Sequence, residues 1–278
     1  MPDCTVSRDL AASLTLGFAD DGGTTRLLDK RHSGPLRVQK ALYAEGPEVC
    51  QAIIVHPPGG VVGGDQLEID IGVGDRAHAF ITTPGAAKWY RANGRVSRQS
   101  VHLHVNQDAA LEWLPQETIF FDAADVELAQ EVELAAGATF IGCEILCMGR
   151  RGSGEVFDTG RIRQRSSIRR EGRLIWWEQG QMLGGRLDSP LALGGRTVCA
   201  TLIAAGKPLP AALLNQVRAD LAADGDHLAG VTQTRGVLVA RHLGDDSETA
   251  RRLMLAVWRR LRPHLLQREA VTPRIWQT

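Results

Sequence analysis

The sequence predicts a mainly β fold with two α-helices in its C-terminal third. Apolar and polar residues alternate strictly over 67–73, which is the pattern of a half-buried strand. Turn signals recur roughly every 8–14 residues between positions 60 and 150, as in a β-sandwich, barrel or solenoid. Only two segments, both after residue 200, space their apolar residues as a helix does.

The stretch 56–94 organises the rest of the chain. Its first part, His56-Pro57-Pro58-Gly59-Gly60, cannot form a helix, because proline lacks the donor N–H and glycine loses the most backbone entropy there. Gly63-Gly64-Asp65 is a second flexible point, and it carries a carboxylate. The strand at 67–73 is followed by a turn and a second predicted strand at 78–83.

The remaining strands are predicted from short apolar or alternating runs bounded by glycine, proline, asparagine or aspartate. The run 49–55 is almost continuously apolar, so we expect a strand that is buried on both faces. No fixed-period repeat typical of a known solenoid family is visible. The other predicted strands are 14–18, 24–28, 36–39, 101–105, 111–114, 118–122, 126–128, 132–134, 139–148, 174–178, 198–205 and 236–241.

The two predicted helices are 209–223 and 247–266. The first carries an apolar stripe and should stop at Gly225. The second opens with Ser247 as its N-cap and Glu248 in its first turn. Pro263 should kink or end this helix, because it removes a backbone donor.

Composition narrows the function classes. The 278 residues contain 32 basic and 32 acidic side chains, so no global field attracts nucleic acid or an anionic membrane. No composition break divides the chain, and we expect a single domain over 1–278. Neither a signal peptide nor a run of about 18 apolar residues is present, and the five scattered cysteines favour reduced thiols. We therefore expect a cytoplasmic protein.

The motifs form no catalytic set. The glycine-rich 57–65 segment lacks a following Gly-Lys-Ser/Thr and precedes a strand, which argues against phosphate binding. Ser153 does not lie in a nucleophile elbow. Six arginines between Arg161 and Arg173 lack interleaved aromatic residues, so a solvated strand face or an acidic protein partner is a better interpretation than RNA.

Several side chains allow both a structural and a functional interpretation. His102 and His104 lie roughly 7 Å apart on one strand face, close enough to share a metal, although a solvent face explains them better. Cys143 and Cys147 lie roughly 13 Å apart if 139–148 is a strand, which predicts buried small residues rather than ligands. Glu144 and Glu178 each lie among apolar neighbours, where a carboxylate needs a partner or a wet channel. Asp65 lies in the double-glycine turn, where an aspartate commonly accepts hydrogen bonds from its own backbone, so a structural role also explains it.

Five motifs, in collinear order over roughly 30–276, resemble the urease accessory protein UreD (UreH) family. Two positions, Ala87 and Cys143, depart slightly from the residues that the family often has. The motifs are 56–65 (HPPGGVVGGD), 82–91 (TTPGAAKWYR), 111–119 (LEWLPQETI), 149–157 (GR followed by GEVF) and 273–276 (PRIW).

This resemblance implies a stacked or layered, helix-like β-fold and a protein that is not an enzyme. It implies a scaffold that binds the urease apoprotein and a helical partner, UreF, which recruits the GTPase UreG for nickel insertion. No cofactor would be tightly bound, but Ni²⁺ could pass through a polar internal passage. Oxygen ligands hold Ni²⁺ weakly enough to hand it on, and the candidates for this transient route are Asp65, Glu144, Glu155 and Glu178.

Two other interpretations remain open from the sequence. One is a metal-dependent hydrolase on a β-scaffold, with ligands from His56, Asp65, His102 and His104. The other is a structural β-protein that binds partners and never touches metal.

Overall fold

The computed structural model describes residues 10–222 and 227–277. Strands make up 48% of the described residues, which confirms the mainly β prediction. In chain order, the strands are β1 (Ala11–Asp21), β2 (Thr24–Ser33), β3 (Arg37–Val38), β4 (Val49–Val55), β5 (Gln66–Val73), β6 (His78–Thr82), β7 (Ala87–Trp89), β8 (Ser97–Val105), β9 (Ala110–Trp113), β10 (Thr118–Phe120), β11 (Asp125–Leu134), β12 (Thr139–Met148), β13 (Arg161–Arg170), β14 (Arg173–Leu183), β15 (Val198–Ala205), β16 (Leu228–Thr234) and β17 (Val237–Gly244). The helices are α1 (Ala211–Ala222) and α2 (Ser247–Leu266), and short 3₁₀ turns cover Arg151–Ser153 and Arg274–Gln277.

Most strands belong to two large sheets that face each other. The first sheet has the order β14-β13-β11-β8-β5-β1-β2, and the second has β16-β17-β15-β12-β9-β6-β4-β3. From β4 to β13 the chain alternates between them, so strands adjacent in a sheet are parallel and one winding apart. This is a β-solenoid-like stack of about four turns, which confirms the layered, helix-like β-fold.

One rim of the solenoid is made of tight turns. Each runs from the first sheet to the second over 74–77, 106–109 or 135–138, and contains one residue with positive φ. The turns stack through backbone hydrogen bonds from Arg76 N to Gln107 O and from Asp108 N to Ala136 O. They recur roughly every 30 residues, a solenoid period that the sequence hides because the equivalent residues differ. The equivalent positive-φ residues are Arg76, Asp108 and Gly137, each followed by a buried alanine at 77, 109 or 138.

The opposite rim is made of long connections, which run over 56–65, 83–96, 114–124 and 149–160. They hold most of the motifs on which the family resemblance rests. Inside this rim a short third ladder joins successive turns through β7, β10 and the end of β12. Its inward side chains close the interior on this side, and all are buried: Val61, Trp89, Phe120 and Met148.

Both helices cover the outer face of the second sheet, where a separate apolar cluster forms around Trp258. The N-cap of α2 is Asp246 and not Ser247 as predicted, because Asp246 is extended and its carboxylate accepts the N–H groups of Glu248 and Thr249. The helix continues through Pro263 to Leu266. The predicted stop of the first helix, Gly225, lies outside the described residues.

The first sheet ends in antiparallel hairpins on both sides, β1–β2 and β13–β14. On its outer face, four arginines of β13 form ion pairs with acids of β11. Three of these pairs lie directly opposite each other in the ladder, whereas Arg165 lies opposite Ala129 and reaches Glu131 diagonally. The pairs are Arg161–Asp125, Arg163–Glu127, Arg165–Glu131 and Arg169–Glu133. No helix in the described ranges is long and apolar enough to cross a bilayer.

Candidate functional site

A cavity of about 310 Å³ lies between the two sheets, in the interior of the solenoid. Much of its wall is apolar and comes from the inward faces of the parallel strands. Part of the long connections on the second rim, including residues 83–88, also lines the cavity. A cavity of this size holds several water molecules or hydrated ions, provided that polar groups line it.

Polar side chains replace apolar ones at one end of the first sheet. The inward positions of β5 are Leu67, Ile69, Ile71 and Val73, all buried. Further along the same rows of the sheet, Gln130 on β11 stands beside Ser166 on β13, which stands beside Glu178 on β14. Gln99 and Gln164 add two more amides to the cavity wall. The apolar interior of the first turns therefore becomes a polar one in the last turns.

The second sheet carries a matching polar row. Glu144 on β12 stands beside Thr201 on β15, which stands beside Arg241 on β17. Glu144 and Thr201 line the cavity directly. The two polar rows face each other across the interior, and the Gln164 side-chain amide donates a hydrogen bond to Glu144 Oε2.

Glu144 is a carboxylate with little compensation for its burial. Its pKa is raised to about 7, mainly by burial and also by the charge of Glu178, while the hydrogen bond from Gln164 opposes the shift. The group therefore exchanges its proton near neutral pH. A buried group poised in this way inside a cavity is a candidate functional residue.

Glu178 differs because it has a cationic partner. Its Oε1 accepts a hydrogen bond from Arg241 Nη2 at 2.6 Å, across the gap between the two sheets. Both side chains are partly exposed, at 30% for Glu178 and 49% for Arg241. The structure therefore brings two of the four predicted carboxylates, Glu144 and Glu178, to one cavity.

The other two predicted carboxylates lie elsewhere. Asp65 is buried and accepts the backbone N–H groups of Leu10 and Val62, at 3.3 and 3.0 Å, which fits the turn-capping interpretation. His56 lines the cavity, and its pKa is lowered by burial. The charge of Asp65 opposes this shift. Glu155 lies on the 149–160 connection, where Arg150 Nε is 3.7 Å from its Oε2.

The residues suggested as hydrolase ligands do not converge. His102 is on the outer face of the first sheet, with Nδ1 3.8 Å from Glu131 Oε2, whereas His56 faces the interior. Within 10–222 and 227–277, no group of three or more His, Cys, Asp or Glu side chains is arranged to hold a metal ion. What the cavity contains is two carboxylates, Glu144 and Glu178.

The cysteines of β12 behave as small apolar residues. Cys143 and Cys147 are both buried on a strand, as the spacing predicts. Burial raises the pKa of each thiol to about 12. Both thiols are therefore protonated at neutral pH, and neither is a ready thiolate ligand.

Sequence reasoning missed a buried ionic network on the other face of the second sheet. Glu112 on β9 and Arg262 on α2 are both completely buried, and Arg262 Nε and Nη2 lie 3.0–3.1 Å from the Glu112 carboxylate oxygens. Glu112 also contacts His78 Nε2 at 2.8 Å and accepts the Trp258 indole N–H at 2.6 Å. The signal in the sequence was an arginine four residues after Trp258 on the apolar stripe of α2.

The C-terminal segment contacts the end of β6 and helix α2. Trp276 donates its indole N–H to Thr82 Oγ1 at 2.8 Å, immediately before the 83–88 loop. Its ring packs against Phe80 and Trp258. The 273–276 motif therefore packs on the outer face of the second sheet, beside the residue that precedes the 83–88 loop.

Sequence comparison with known proteins gives matches over nearly the whole chain. The model of the family described as UreD urease accessory protein matches residues 10–277. A urease accessory protein UreD of Janthinobacterium sp. (strain Marseille) is 61% identical over 275 residues, covering 98% of this chain and 93% of the relative. UreD proteins of Nitrosospira multiformis and Pseudomonas aeruginosa (strain UCBPP-PA14) are 52% and 47% identical, and each covers at least 97% of both chains. The chain belongs to the UreD family of urease accessory proteins, which assist an enzyme and are not enzymes themselves.

Proposed function

We propose that this chain is a non-enzymatic scaffold and metallochaperone for nickel insertion into urease. In this role it binds the urease apoprotein and recruits UreF and the GTPase UreG, while Ni²⁺ passes through the cavity between its two sheets. Membership of the accessory family supports the link to urease. The partners and the nickel step are the part that we propose.

The observation that carries the proposal is the polar end of the cavity. Glu144 and Glu178 supply hard oxygen ligands inside an otherwise apolar solenoid, and neighbouring amides can replace part of the ion's water shell. A closed site of three or four imidazole or thiolate ligands would retain nickel tightly. A pair of carboxylates, one of them engaged by Arg241, suits an ion that must leave again.

Carboxylate-to-amide variants test the route. The chain is co-expressed with UreF, UreG and urease apoprotein, and the nickel content and activity of urease are measured after nickel is added. We expect Glu144→Gln and Glu178→Gln to lower nickel loading several-fold while the complex still co-purifies, because the amide removes charge and preserves shape. Glu133→Gln, which makes the same change on the outer face of the first sheet, is the matched control.

The outcomes separate the alternatives. Omission of the chain should abolish both the complex and urease activation. If the complex forms and urease is fully loaded with both cavity variants, the nickel route is wrong and a purely structural scaffold is left. If nothing co-purifies and activation does not depend on the chain, the scaffold proposal itself fails.

A further inference from the structure

We infer that Arg241 limits how tightly the cavity holds a divalent cation, because its guanidinium occupies the carboxylate of Glu178. This inference rests on the proposed nickel route and adds to it a residue and a role. Arg241 is then a positioning residue that tunes release of the ion and is not itself a ligand.

The geometry places Arg241 where it can compete. The second sheet extends beyond the last parallel strand through β15, β17 and β16, whereas the first sheet ends at β14. Arg241 projects from this extension in the same row as Glu144 and Thr201, and reaches Glu178 on the edge strand β14. The ion pair therefore joins the two sheets at the polar end of the cavity.

The charges around Glu144 and Glu178 explain why the Arg241 guanidinium would weaken cation binding. Glu144 and Glu178 interact electrostatically, so without a cation between them they repel each other and would attract a divalent ion. The other groups around Glu144 are uncharged: Thr201 beside it, the Gln164 amide, and the Cys199 thiol, whose pKa burial raises to about 12. Among the residues that the structure describes, Arg241 is the cation recorded in contact with a carboxylate of the cavity.

The exposure of the ion pair makes this competition reversible. An ion pair open to water contributes little to stability, so an arriving cation can displace the guanidinium from Glu178 at small cost. When the cation moves on, Arg241 can recapture the carboxylate. The guanidinium thus opposes storage of the ion in the cavity and favours its transit.

The test is direct nickel binding by the full-length chain, measured with nickel chloride by competition against a chromogenic chelator. We expect Arg241→Gln to lower the dissociation constant by about fivefold, the fold-change that corresponds to loss of an exposed ion pair. Arg241→Lys, which keeps the charge, should bind nickel nearly as the unmodified chain does. Arg31→Gln is the matched control, since Arg31 forms an exposed ion pair with Asp29 on β2 at the other edge of the first sheet.

A double variant shows whether Arg241 acts through Glu178. In the Glu178→Gln background, Arg241→Gln should no longer tighten nickel binding, because the contested carboxylate is gone. In the co-expression assay, Arg241→Gln should bind nickel more tightly yet load urease more slowly. A merely destabilised variant would not bind more tightly.

The inference is overturned if the folded Arg241→Gln variant binds nickel with the same affinity as the unmodified chain. It is also overturned if Arg241→Gln still tightens nickel binding in the Glu178→Gln background. If Glu144→Gln and Glu178→Gln reduce nickel loading while Arg241→Gln has no effect on affinity, only the role of Arg241 fails. If neither carboxylate variant changes nickel binding or loading, the proposed route fails first.

Discussion

Two glutamates on neighbouring strands of the same sheet have opposite environments. Glu112 on β9 faces the helices and is held by Arg262, His78 and Trp258. Burial alone would raise its pKa, but the hydrogen bonds and charges of His78 and Arg262 lower it below its usual value. Glu144 on β12 faces the cavity, where it has Gln164 and an unfavourable carboxylate neighbour, and its pKa rises to about 7.

The contrast separates a carboxylate whose charge is fully compensated from one that has few partners. A carboxylate that is fully compensated stays ionised and ties α2 to the sheet. A desolvated carboxylate with few hydrogen-bond or ionic partners destabilises the fold. Such destabilising groups are common at ligand-binding sites. Desolvation raises the pKa of both carboxylates, so the partners and not the desolvation distinguish the two residues.

The largest effect should come from Glu112→Ala. The substitution leaves a void beside the buried Arg262, which keeps its ion pair with Glu45, and it removes the hydrogen-bond partner of His78 and of the Trp258 indole. Breaking a buried pair from one side typically costs about 3–5 kcal/mol. Chemical denaturation monitored by circular dichroism would measure the loss. A cost below about 1 kcal/mol would contradict the view that this network holds α2 to the sheet.

Glu144→Gln should stabilise the chain, and only at higher pH. Because the folded-state pKa of about 7 exceeds the ordinary value of 4.5, the folded chain retains a proton that the unfolded chain has lost between these values. The unfolding free energy of the unmodified chain therefore falls as pH rises through this window. The variant should equal it near pH 4.5 and exceed it above pH 7, by at most about 3 kcal/mol. Denaturation curves at pH 5 and pH 8 test this, and a pH-independent difference would show that Glu144 is compensated after all.

The smallest effect should come from the charged outer face of the first sheet. Arg169→Ala removes an exposed pair with Glu133 at 3.7 Å and should change stability by less than about 0.5 kcal/mol. Urease activation should be unaffected, since this pair lies on the face away from the cavity. A clear loss of activation with normal stability would instead mark this face as a partner surface.

Local pattern was enough to predict most of the elements. The alternation at 67–73 gave a strand with the right buried face, and the apolar stripe at 247–266 gave a helix with matching bounds. Pairing was beyond the pattern, because consecutive strands such as β5 and β6 lie in different sheets. The solenoid period is not visible in the sequence because a backbone conformation repeats and the residue type does not. The equivalent turn positions with positive φ are Arg76, Asp108 and Gly137.

The site was predicted in part. Glu144 and Glu178 attracted attention as carboxylates among apolar residues, and the structure places both in the cavity. Gln99, Gln130 and Gln164 also interrupt inward-facing positions, and they can be recognised only when the inner face is known. The Glu112–Arg262 pair joins residues 150 positions apart, so only tertiary structure reveals it.

The antiparallel hairpins at the two ends of the first sheet also bear on self-assembly. A parallel solenoid with open ends could stack on the next molecule and grow into a filament. Here β2 and β14 run against the direction of the windings, and β2 presents Arg26, Lys30, Arg31 and His32 along its exposed edge. Reversed strand direction and a basic edge both disfavour end-to-end addition, so the fold terminates its own growth.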